Sequence, residues 1–110
     1  MRRDYRKIKA WQVVDEAAVE IYRITRIFPK DELYGLTSQL RRAISSVPAN
    51  IAEGAARRHK KEYLQFLNVA QGSLAEADYF MHLARRLQYI DEEIYNKMLN
   101  GKDVETYEKE

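Results

Sequence analysis

One stretch, Leu33 to Arg58 (LYGLTSQLRRAISSVPANIAEGAARR), limits the fold more than any other part of the 110-residue chain. At about 100° per residue, its side chains sort into three helical stripes. Leu33, Leu36, Leu40, Ile44, Val47, Ile51 and Ala55 form an apolar stripe. Ser38, Ser45, Ala49, Ala52 and Ala56 form a stripe of small residues. Gln39, Arg42, Ser46, Asn50, Glu53 and Arg57 form a polar one. A surface helix needs one apolar face and a solvated remainder. Three stripes predict a central helix with neighbours on more than one side, the small residues forming a close-packing seam. Pro48 lies inside it and removes one backbone hydrogen bond. Ser45 and Ser46 can bond back to carbonyls beside it.

The rest of the chain is also helical in pattern. Trp11, Val14, Ala18, Ile21, Thr25 and Phe28 recur at intervals of three and four, and Pro29 ends that run. Tyr63, Phe66, Leu67, Ala70, Leu74, Ala77, Met81, Ala84 and Leu87 predict a third helix. Asp91 suits the N-cap of a fourth, which carries Ile94, Tyr95, Met98 and Leu99 before the turn signal Asn100-Gly101. Four glycines and two prolines leave little room for the turns of a β fold. Short connections imply antiparallel neighbours. The expected fold is all-α: an antiparallel up-down-up-down four-helix bundle with a short or weak fourth helix. Residues 1–7 read as a basic arm, 8–100 as the bundle, and 101–110 as an acidic tail or the weak end of the fourth helix. The short last helix leaves part of the core for self-association to cover.

The chain lacks cysteine, so disulfides and thiolate metal sites are excluded. The charged start has no apolar segment behind it, unlike a signal peptide. No apolar run approaches the roughly 20 residues of a membrane span. A cytoplasmic bacterial-type protein with no membrane partner is expected. His59 and His82 are the two histidines, and neither belongs to a pair such as H-E-x-x-H. His82 reads as a surface residue. No glycine-rich phosphate loop is present. No catalytic residue, metal site or cofactor is expected, and the chain reads as a non-enzyme.

Two clusters remain. In a hairpin turning near His59, residues equidistant from the turn lie level. Arg42 and Glu76 are each 17 positions away, and Ser46 and Gly72 each 13. This register predicts an Arg42–Glu76 pair and a close approach of Gly72 to Ser46, giving a structural polar network of Gln39, Arg42, Ser46, Asn50, Glu53 and Glu76. The second cluster is basic. The start of the first helix and the end of the second share one end of the bundle. That end gathers Arg2, Arg3, Arg6, Lys7, Lys9, Arg57, Arg58, Lys60 and Lys61. Asp31, Glu32, Asp91, Glu92 and Glu93 gather at the other. The formal net charge is only +2, so the charge is polarised rather than large. A helix C-terminus accounts for Arg57 and Arg58. It does not account for the lysines near helix N-termini, which suit non-specific binding of an RNA or DNA backbone. Tyr34, Tyr79, Tyr89 and Tyr95 suit subunit contacts.

QLRRAISSVPANIAEG (Gln39–Gly54) followed by YLQFLNVAQGSLAEA (Tyr63–Ala77) resembles the four-helix-bundle proteins encoded in intervening sequences of bacterial large-subunit ribosomal RNA genes. Trp11, the Ile21–Thr25 run and Phe28–Leu36 also fit. The resemblance implies a homopentameric ring. It also implies kinship with the accessory variability proteins of diversity-generating retroelements, basic pentamers that bind nucleic acid and a reverse transcriptase. Two functions are therefore expected in order: an oligomeric scaffold that binds nucleic acid, or an adaptor that docks a partner such as a reverse transcriptase. A hydrolase with an unfamiliar site comes third.

Overall fold

The computed structural model describes residues 3–99, which are all-helical as expected. α1 spans Lys9–Ile24, α2 Leu36–Ala55, α3 Lys60–Arg86 and α4 Glu92–Leu99. Single-turn 3-10 helices lie at Tyr5–Lys7, Thr25–Ile27 and Lys30–Glu32. No strand occurs among the described residues. Arg2 and the segment from Asn100 onward, including the acidic tail, lie outside them.

The helix ends follow local chemistry. The Thr25 hydroxyl turns back onto the Ile21 and Tyr22 carbonyls at 2.9 and 3.0 Å. Phe28 is extended (ψ 151°), as the residue before a proline is biased to be. α2 begins three residues later than the periodicity suggests, so Leu33 is exposed and leaves the apolar stripe. The delay comes from the Lys30–Glu32 turn and from Glu32, whose carboxylate accepts the Leu36 N–H at 3.1 Å. α2 also ends at Ala55 rather than Arg58, the Ala56 and Arg57 N–H groups closing a tight last turn. α3 ends in a left-handed residue, Gln88 (φ 65°). The Tyr89 and Gln88 N–H groups bond the Ala84 and Arg85 carbonyls, both at 2.9 Å, which is the Schellman pattern. Leu87 is consequently exposed and not part of the core stripe. Asp91 caps α4 as expected, its Oδ1 accepting the Ile94 N–H at 2.8 Å.

Val14 and Ile21 of α1, Leu40, Ile44, Val47 and Ile51 of α2 and Met81 of α3 are the large side chains fully removed from water. α2 is central: it packs against both α1 and α3, while α4 lies on α1 and α3. A Cβ added to Gly54 of α2 would stand 2.6 Å from the Phe66 Cβ and 3.1 Å from Tyr63 Cδ1. The late turns of α2 therefore press directly on the early turns of α3, as a hairpin requires. Pro48 is buried within α2, and Ser45 Oγ bonds the Arg42 carbonyl at 3.3 Å. Across the other face, Arg41 ties α2 to the end of α1. Its Nε donates to Thr25 Oγ1 at 2.8 Å, and its guanidinium covers the Tyr22 ring.

The small stripe departs from expectation. Ser38, Ala49 and Ala56 are exposed, and Ser45 and Ala52 are half-buried. The buried arc of α2 runs from Thr37, Pro48 and Ala55 at one edge to Ala43 and Gly54 at the other. The small residues lie outside this buried arc.

Candidate nucleic-acid interface

The N-terminal arm is not a loose tail. Asp4 caps the 3-10 turn by accepting the Arg6 N–H at 3.1 Å, and Gln12 Nε2 donates to the Arg6 carbonyl at 2.9 Å. Tyr5 meets Trp11 edge to face at 4.9 Å. The Arg3 N–H then bonds the Ala55 carbonyl at 2.8 Å, one of the acceptors left over at the end of α2. The Arg3 guanidinium lies 4.1 Å over the Tyr63 ring. One hydrogen bond and one cation–π contact thus fix the arm against the α2–α3 link. They bring Arg3, Arg6, Lys7 and Lys9 to the end that carries Arg57, Arg58, Lys60 and Lys61.

These cations are not equivalent. Arg6 pairs with Asp4 at 3.1 Å, and Arg57 with Glu53 at 3.2 Å while covering Phe66. The Arg6 side chain, and after it the Arg6 N–H, hold the Asp4 carboxyl below its usual range. Arg58 is exposed. Lys7, Lys9, Lys60 and Lys61 are exposed and form no ion pair among the described residues. Lys9, Lys60 and Lys61 occupy the first turns of α1 and α3, where the helix dipole repels a cation. Capping does not explain them.

The far end is acidic and bound to itself. Glu32 accepts the Tyr89 hydroxyl at 2.8 Å as well as the Leu36 N–H, joining residues 57 positions apart. The Tyr89 hydroxyl first, and the Leu36 N–H second, hold its carboxyl below the usual range. The same bond pushes the Tyr89 phenol up. Glu92 pairs with Arg85 at 3.0 Å and Glu93 with Lys97 at 3.1 Å. Asp31 is exposed. Tyr89 and Tyr95 are half-buried in intrachain contacts, whereas Tyr34 and Tyr79 are exposed. His82 is half-buried too, its ring between Tyr79 and Tyr95 and its Nδ1 3.5 Å from Arg85.

The polar stripe of α2 is only partly a network. Ser46 Oγ meets Ser73 Oγ at 3.0 Å, and Asn50 Nδ2 donates to the Ser46 carbonyl and hydroxyl at 2.7 and 2.9 Å. Arg42 and Glu76 form no pair; both are exposed, as is Gln39. Space around Gly72 is open. The register is one residue off the equidistant expectation, with Ser73 rather than Gly72 level with Ser46. One residue turns a helix by about 100°, which carries Gly72 and Glu76 out to solvent and brings Ser73 and Ala77 in. Arg41, absent from every stripe considered above, is the residue that does bridge two helices. It sits at the edge of the buried arc, one helical turn from Thr37, which is the signal that marks it.

Among the described residues no group of three or more His, Asp or Glu side chains could hold a metal, and no helix is long and apolar enough to cross a membrane. The class is a small helical bundle with a cationic end and an acidic end. The model of the 23S rRNA-intervening sequence protein family matches residues 6–105, nearly the whole chain, and the protein belongs to that family. None of the curated proteins compared with it matches.

Proposed function

We propose that the protein is a non-enzymatic, oligomeric scaffold that holds RNA or DNA by its phosphate backbone through the cationic end. The supporting observation is the Arg3–Ala55 bond, which folds the arm cations onto the link cations. Four lysines that form no ion pair among the described residues then gather at one end with Arg58, beside the acids Asp4, Glu53 and Glu62. Flexible ammonium groups on an exposed rim suit counterion release and carry no base code. Assembly as a homopentamer, which the family resemblance suggests, would repeat this surface around a ring and multiply its hold on one strand. The test is fluorescence anisotropy of a labelled duplex at about 50 mM salt. The wild-type chain binds, and a variant with Lys7, Lys9, Lys60 and Lys61 changed to Gln binds much more weakly. Absence of wild-type binding overturns the reading.

A second reading rests on the other end. Ile27, Leu33 and Tyr34 are exposed there, Tyr34 at 93%. Aromatic and aliphatic groups at a surface suit a protein contact. In this reading the chain is an adaptor that docks a partner such as a reverse transcriptase without touching nucleic acid. Copurification with that partner, lost on Tyr34→Asp and kept in the lysine variant, favours it.

A further inference from the structure

Among the described residues the cations and the free aromatic faces occupy opposite ends, and from this segregation we infer that the site, if it binds nucleic acid as proposed above, takes duplexes in preference to single strands. Single-strand binders combine a cationic track with aromatic rings on which bases stack. At the cationic end the rings are already used. Tyr63 is 3% exposed and lies under Arg3. Phe66 lies under Arg57, Tyr5 lies under Arg6, and Tyr5 and Trp11 are half-buried against each other. Among the described residues, the exposed ring left there is the small imidazole of His59.

The open tyrosines are elsewhere. Tyr34 precedes α2, whose 20 residues put about 30 Å between its two ends. Tyr79 is 19 residues into α3 from Lys60, roughly 30 Å along the axis. Tyr22, near the end of α1, is covered by Arg41. The molecule is 45 Å long, so these rings stand most of its length from the lysines. A base hangs from the phosphate beside it and cannot reach them. Without stacking, affinity follows phosphate density, which is higher in a duplex: one charge per about 1.7 Å of axis, with a steeper release of counterions than a single strand gives.

The experiment titrates the full chain against labelled 20-base-pair dA·dT duplex and 20-nucleotide oligothymidylate in one buffer. The duplex binds about tenfold tighter at low salt, and His59→Ala leaves the single-strand affinity unchanged. Equal or tighter binding of oligothymidylate overturns the inference while leaving backbone binding standing. So does a tenfold loss of single-strand affinity in His59→Ala, which would reveal stacking. Binding of neither probe removes both this inference and the reading beneath it.

Discussion

The same substitution made in two helices tests the packing with opposite signs. Gly54 and Gly72 both sit inside helices, where alanine is favoured over glycine by about 1 kcal/mol. At Gly72 nothing stands within 4 Å of an added Cβ, so Gly72→Ala keeps that gain. At Gly54 the new methyl would meet the Phe66 Cβ at 2.6 Å and the Tyr63 carbonyl at 3.3 Å. A Cβ is fixed to the backbone and cannot swing aside, so α2 and α3 must part. Overpacking of this kind costs about 1–3 kcal/mol, and parting these helices also loosens Tyr63 beneath Arg3. The net expectation is a loss of up to about 2 kcal/mol for Gly54→Ala and a gain of about 0.5–1 kcal/mol for Gly72→Ala. For a domain of this size each kcal/mol moves Tm by about 4–8 °C. Thermal unfolding followed by circular dichroism, at matched protein concentration, reads both. A Gly54→Ala protein stabilised as much as Gly72→Ala would refute the close helix crossing. A destabilised Gly72→Ala would place Gly72 against a surface outside the chain.

Glu32, like Asp4, makes stability fall in acid. Its folded-state pKa is lowered by Tyr89 and Leu36, so its contribution is present above the unfolded value of about 4.3 and is lost as pH falls through the folded value. Glu32→Gln is less stable than wild type at neutral pH, and the difference closes in acid; a gap independent of pH between 7 and 2 contradicts the clamp. Ser46→Ala costs about 0.5–1.5 kcal/mol for its lost Ser73 and Asn50 bonds, whereas Arg42→Ala stays within about 0.5 kcal/mol because Arg42 is solvated; urea denaturation separates them. Arg41→Ala costs about 1–2 kcal/mol, since it removes a charged donor to Thr25 and the cover over Tyr22, and the same denaturation measures it.

Periodicity and punctuation made most of the architecture readable. Pro29 and Asp91 mark their boundaries from residue type alone, because ring closure and side-chain capping act within a few residues. The apolar seam of α2 emerges as the core it promised, save Leu33. What stayed hidden depends on distance in space. Glu32 and Tyr89 meet only because two helix ends converge. The Ser46–Ser73 level depends on how the four-residue link from Ala56 to His59 turns, and symmetry about His59 misjudges it by one residue. In a helix that small error exchanges the buried and solvated faces, so the expected Arg42–Glu76 pair is lost whole rather than in part. At the basic end, sequence reasoning places the cations together but gives no sign that Arg3, Arg6 and Arg57 would be spent on Tyr63, Tyr5 and Phe66.

The central claim is that unpaired lysines at one end hold a phosphate backbone. It is tested most directly by the salt dependence of duplex binding, measured for the wild-type chain and for the variant with Lys7, Lys9, Lys60 and Lys61 changed to Gln. With about 0.9 counterions released per phosphate neutralised, four lysines contribute roughly −3.6 to the slope of log K against log salt for each engaged chain. The account predicts a steep wild-type slope that becomes shallower by about that amount in the variant. Identical slopes for the two proteins would contradict it.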